Sequence, residues 1–147
     1  MIELTITTTT DINASAADAW KVFGEGFGNW ADWAPGIEES ELQGPLAQGA
    51  IRVNKAPSLG TVTQELVRFD ADERALAYEM REGLPPFLEQ LRNDWVIEDL
   101  EDGRSRLKGT ALFGLRDAAA EKKGGIEKQM SQVLDGFAAA FQAHLQG

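Results

Sequence analysis

The side chains able to do chemistry are few. The chain of 147 residues has one histidine, one tyrosine and no cysteine, which excludes a thiolate nucleophile, a disulfide framework and a cysteine zinc site. His144 falls in the last turn of the final helical pattern, where it suits the negative end of the helix dipole better than catalysis. The run Asp70-Ala71-Asp72-Glu73 has the residue types of a metal site, but an acidic turn opening on Asp explains it better. The remaining polar candidates are Arg52, Asn54, Gln64, Tyr78 and Asn93, each inside a strand-like segment. A guanidinium offers a planar fork of donors matched to an oxygen anion. Turned into an apolar interior, Arg52 would need an acid, carbonyl acceptors, water, or a ligand carboxylate or phenolate. Such residues can orient a molecule. No strong catalytic motif accompanies them, and no cofactor is called for.

The elements that must position them follow from periodicity. Ile2, Leu4 and Ile6 alternate with Glu3, Thr5 and Thr7, predicting a first strand. Ser15, with Asp18 three residues on, reads as the N-cap of a short helix over 16–24. A second short helix over 27–34 places Trp30 and Trp33 on one face, wedging the pair of helices against the sheet, with Trp33 near a pocket mouth. Strands separated by short turns are then predicted at 37–43, 50–55, 61–69, 74–81, 91–100 and 105–113, an antiparallel meander. Ile126, Met130, Val133, Leu134, Phe137, Phe141 and Leu145 recur at steps of three and four, the apolar stripe of a long C-terminal helix whose entry Gly124-Gly125 loosens or bends. The reading is a single α+β domain over 1–147. A seven-stranded curved antiparallel sheet wraps around the long helix, with two short helices between its first two strands and space for a cavity between sheet and helix.

Alternation also predicts which side chains face the helix. Leu76, Tyr78 and Met80 share one face, as do Leu91, Asn93, Trp95 and Ile97. Two strands are ambiguous. Hydrophobicity turns Ile51 and Val53 inward and leaves Arg52 and Asn54 outside, while Val62, Gln64 and Leu66 compete with Thr61, Thr63 and Glu65. A slip of one residue inverts each assignment. Trp95, Phe87, Phe113, Phe137 and Phe141 can line a pocket or be plain core, and Phe87, following Pro85-Pro86, sits on a loop able to act as a gate.

Composition narrows the partners. With 24 acidic against 14 basic residues the formal charge is −10, which argues against nucleic acid and against anionic lipid surfaces. No apolar run approaches the ~20 residues of a bilayer span, and Met1-Ile2-Glu3-Leu4-Thr5 is unlike a secretion signal, so a cytoplasmic protein without integral membrane association is expected. No protein partner is specified.

The order of elements, together with Trp33-Ala34-Pro35-Gly36, Gly49-Ala50-Ile51-Arg52, Leu66 through Asp70, Tyr78, Glu82-Gly83 and Trp95, resembles the START-like helix-grip superfamily (SRPBCC). Its nearest branch is the bacterial polyketide cyclase/dehydrase and lipid-transport proteins, with pollen-allergen-type carriers more distant. The resemblance covers nearly the whole chain and implies a pocket for a small hydrophobic, lipid-like or aromatic polyketide-like molecule. It favours the phase that points Arg52, Asn54 and Gln64 inward. The candidate ligand-binding set is then Arg52, Asn54, Gln64, Tyr78, Met80, Phe87, Asn93, Trp95, Phe113, Met130, Leu134 and Phe137. Three functions follow: a carrier of such a molecule, a cyclase or dehydrase in which Arg52 stabilises an enolate and Tyr78 relays a proton, or an interaction module whose interior is filled.

Overall fold

The computed structural model describes residues 1–146. Strand β1 (Ile2–Ile12) buries Leu4, Ile6 and Thr8 on alternate positions. Ser15 Oγ then accepts the backbone N–H of Asp18 at 3.0 Å and caps helix α1 (Ala16–Trp20). The expected helix to residue 24 does not continue regularly. It widens into a π turn over Lys21–Glu25, followed by a 3₁₀ segment over Phe27–Asp32. Gly24 explains the change: a Cβ there would collide with the Trp20 indole, which lies directly over it.

Six strands follow: β2 (Glu39–Gln43), β3 (Ile51–Ala56), β4 (Gly60–Asp70), β5 (Ala75–Glu82), β6 (Leu88–Leu100) and β7 (Arg104–Leu115). All neighbours are antiparallel, in the order β1-β7-β6-β5-β4-β3-β2, so the first strand pairs with the last. Each hairpin joins sequence neighbours, the meander that the short turns imply. β6 starts earlier than expected because Leu88 and Gln90 pair with β7 across a bulge. The β5–β6 ladder stops at the Glu79–Arg92 pair, so the strand ends leading to the Pro85-Pro86 loop lie apart. Asp70 Oδ1 accepts the N–H of Glu73 at 3.1 Å, consistent with a turn.

A 3₁₀ segment (Asp117–Lys122) leads into helix α2 (Lys123–Gln146), and Gly124 and Gly125 are part of its first turn rather than a break before it. α2 packs on β1 and β7 through Ile126, Leu134, Ala138 and Phe141. Two polar ties fix it to β1: Thr8 Oγ1 donates to Asp135 Oδ1 at 2.6 Å, and Gln142 Nε2 donates to Asp11 O at 2.7 Å. Val133, expected in the buried stripe, is 47% exposed. Among the described residues no helix is long and apolar enough to cross a membrane.

The short helices deliver an aromatic wedge. Phe23 meets Trp30, Trp95 and Phe141 with ring centroids 4.6, 5.3 and 5.0 Å apart, and Trp30 Nε1 donates to Phe23 O at 2.9 Å. This cluster joins the short helices, the sheet and α2, and it closes one end of the fold.

Candidate functional site

Between the curved sheet and α2 lies a cavity of about 600 Å³, within the usual range for small-molecule sites. β3, β4, β5 and β6 form its floor, α2 one wall, and the 35–37 and 85–87 segments its rim.

β3 settles the ambiguous phase. Arg52 and Asn54 are buried while Ile51 and Val53 are half-buried on the other face, so hydrophobicity alone assigned this strand to the wrong side. Ile51 and Val53 lie opposite Glu65 and Thr63 of β4, on a face that does not require full burial. On β4, Val62, Gln64 and Leu66 point inward. Arg52 and Gln64 are direct register partners, and this places their side chains together.

Arg52 is 0% exposed. Its Nε donates to Gln64 Oε1 at 2.9 Å, its Nη2 to the same oxygen at 2.5 Å, and its Nη1 to Phe27 O at 3.0 Å. Gln64 Oε1 also accepts from Asn54 Nδ2 at 3.2 Å, and Asn54 Oδ1 accepts from Ser40 Oγ at 2.7 Å. The guanidinium carbon sits 3.8 Å from the Phe27 ring centroid, 4.2 Å from Trp30 and 4.9 Å from Tyr78. No carboxylate among the described residues pairs with it. Its charge is instead met by carbonyl oxygens and three π faces, an arrangement that strengthens as water is excluded. Burial lowers its pKa to about 10, with Tyr78 acting in the opposite direction, so it is cationic at neutral pH.

Tyr78 and Asn93 are register partners on β5 and β6. The Tyr78 hydroxyl accepts from Trp95 Nε1 at 3.3 Å, and its own hydrogen has no acceptor among the described residues. Asn93 Oδ1 is buried without a hydrogen-bond partner there. Trp95 lies across β7 opposite Gly109, where any Cβ would strike the indole ring. That small residue makes room for Trp95, a signal the sequence contained and periodicity did not use.

Of the sequence-derived set, Arg52, Asn54, Gln64, Tyr78, Met80, Phe87, Asn93, Trp95, Met130, Leu134 and Phe137 all stand on the cavity wall. Phe113 does not. It is packed between its register partners Leu4 and Leu91 in the core beneath α2. Trp30 rather than Trp33 reaches the wall. Trp33 instead packs behind it, tilted against Phe141 at 5.1 Å, with its Nε1 buried and unpartnered among the described residues. Sequence reasoning missed Gln129, Gln132 and Gly136 of α2. Their spacing of three and four beside the apolar stripe marks a mixed helix face, the signal that was available. Arg52 is the single acidic or basic side chain among the lining residues, and among the described residues no His, Asp or Glu cluster is arranged to hold a metal.

The fold has known counterparts. An aromatase/cyclase, ZhuI, from a Streptomyces species superposes with a TM-score of 0.82 at 20% identity, covering 99% of this chain and 94% of that one. An uncharacterised protein from Bacillus thuringiensis gives 0.79 at 20% identity, covering 98% and 100%. Norcoclaurine synthase from Thalictrum flavum gives 0.76 at 17% identity, covering 99% and 95%. These likenesses establish the helix-grip fold. No curated protein matches the sequence. The family model described as polyketide cyclase / dehydrase and lipid transport matches residues 3–146, and the chain belongs to that family.

Proposed function

We propose that this protein binds a small hydrophobic molecule in the cavity between sheet and α2 and acts as a carrier. One observation carries the reading: the cavity is about 600 Å³, and the only charge on its wall, Arg52, is already enclosed by protein acceptors. A proton-transfer enzyme needs a group poised near the working pH and within reach of the substrate. The wall offers no His, Asp, Glu or Lys for that role. An interaction module with a filled interior is disfavoured by the same volume.

The cyclase reading draws support from the likeness to an aromatase/cyclase and to norcoclaurine synthase, and it would use the same pocket with Tyr78 as the proton donor. Native mass spectrometry of protein purified from its own host tests the carrier reading. A retained apolar small molecule, released unchanged on denaturation, is expected. Release of a product chemically altered from an added substrate would favour the cyclase instead. Failure to bind any apolar molecule saturably would refute both.

A further inference from the structure

We propose that the cavity recognises its ligand through a neutral hydroxyl group held between Tyr78 and Asn93, and so selects uncharged alcohols or phenols over the corresponding carboxylates. This rests on the cavity-binding reading above and assigns its ligand a chemical class.

The inward-facing Arg52 suggests a site for an anion, and its surroundings argue otherwise. It has no exposed surface. Gln64 Oε1, Phe27 O and the rings of Phe27, Trp30 and Tyr78 enclose it. A ligand carboxylate would have to break that cage before meeting the charge. Arg52 is therefore a positioning residue of the wall, holding Gln64 and the Tyr78 ring in place.

The polar atoms left without protein partners have a different character. Asn93 Oδ1 is an acceptor, buried and unpaired among the described residues. A lone buried acceptor is costly unless something donates to it. Beside it on the neighbouring strand, the Tyr78 hydroxyl takes a hydrogen from Trp95 and has its own still to give. Directly opposed residues of an antiparallel pair have Cβ atoms roughly 4.5–5.5 Å apart, so one small group can touch both side chains. The group must donate once and accept once. A hydroxyl does both at the usual O–H···O separation of about 2.7–2.8 Å. A carboxylate cannot donate, and it would set its oxygens against Asn93 Oδ1. An ether accepts from Tyr78 but leaves Asn93 unpaired. The apolar remainder of the wall, including Met80, Trp95, Leu134 and Phe137, would hold the hydrocarbon body.

The test compares four aromatic probes of one shape at neutral pH: pyrene, and hydroxypyrene, methoxypyrene and pyrenecarboxylate substituted at the same ring carbon. Dissociation constants are measured by energy transfer from tryptophan to pyrene. Hydroxypyrene should bind about tenfold more tightly than methoxypyrene, the worth of one well-made buried hydrogen bond, and pyrenecarboxylate should bind most weakly. Asn93→Leu should remove the preference for hydroxypyrene over methoxypyrene. Should Asn93→Leu not fold, Tyr78→Phe replaces it and should weaken hydroxypyrene and methoxypyrene by a similar factor relative to pyrene, since both accept from the Tyr78 hydroxyl. An unchanged ratio of either to pyrene would overturn the proposal. If the four probes bind alike to the unaltered protein, the hydroxyl rule is wrong and the carrier reading stands. If pyrenecarboxylate binds most tightly and Arg52→Met abolishes that advantage, the anion site is real and the proposal is overturned. If no probe binds, the carrier reading falls as well.

Discussion

Strands β1 and β7 lie beneath α2 and pack against it, whereas β3, β4 and β5 curve away from the same helix and border open volume. On the packed side the buried residues are Leu4, Ile6, Leu107, Phe113 and Leu115, with Ile126, Ala138 and Phe141 above them. On the open side they include Arg52, Asn54 and Gln64. The same helix shows both environments. Phe141 is fully buried, while Met130 and Phe137, with space beside them, are only partly buried although they belong to the same apolar stripe. A stripe of this kind is therefore not a uniform core. One flank of it packs into the core and the other borders the cavity.

The largest loss of stability is expected on the packed side. Phe141→Ala should cost about 3–5 kcal/mol of stability, the usual price of emptying a well-packed aromatic site. Met130→Ala, on the cavity wall, should cost under about 1.5 kcal/mol because no tight packing is lost there. Chemical denaturation of the two variants measures the contrast. Equal losses would mean that the open side is packed like the closed one.

A smaller effect is expected at Arg52. Arg52→Met removes an expensive buried charge but strands Phe27 O and loosens Gln64 Oε1, so a net loss of about 1–3 kcal/mol is expected. A gain in stability would show that the hydrogen-bonded cage contributes less than the charge costs. Smaller still is the response to pH. Arg52, with its pKa lowered only to about 10, keeps its proton throughout the neutral range, and the wall carries no acidic or other basic group. Affinity for an uncharged probe should therefore stay flat between about pH 6 and 8, where exposed carboxylates and Arg do not change charge. A step in that interval would reveal a titrating group at the site.

The two sides also differ in how far the sequence disclosed them. The packed side was legible because alternation in β1 and the spacing of Ile126, Leu134 and Phe141 each state one face. The open side violates the simple rule. β3 buries Arg52 and Asn54 and turns Ile51 and Val53 away, and only the resemblance to the helix-grip superfamily indicated that phase. Where pocket ends and core begins was not legible. Phe113 and Trp95 both follow inward alternation, yet one is packed under the helix and the other faces the cavity, a difference set by sheet curvature and by Gly109 opposite Trp95. The π turn at Lys21–Glu25 escaped notice because Gly24 reads as a helix end, when its lack of a side chain serves the Trp20 ring.

The central claim is that the space beneath α2 is an open site for an apolar molecule. Titration with pyrene, following tryptophan emission in the unaltered protein and in each single Trp→Phe variant, tests it most directly. Trp30 and Trp95 line the cavity, while Trp33 packs behind Trp30 and Trp20 packs against Phe69 at 5.4 Å. Saturable quenching is expected, reduced most by Trp95→Phe or Trp30→Phe and unaffected by Trp20→Phe. Absence of saturable quenching, or its loss on Trp20→Phe alone, would contradict the claim.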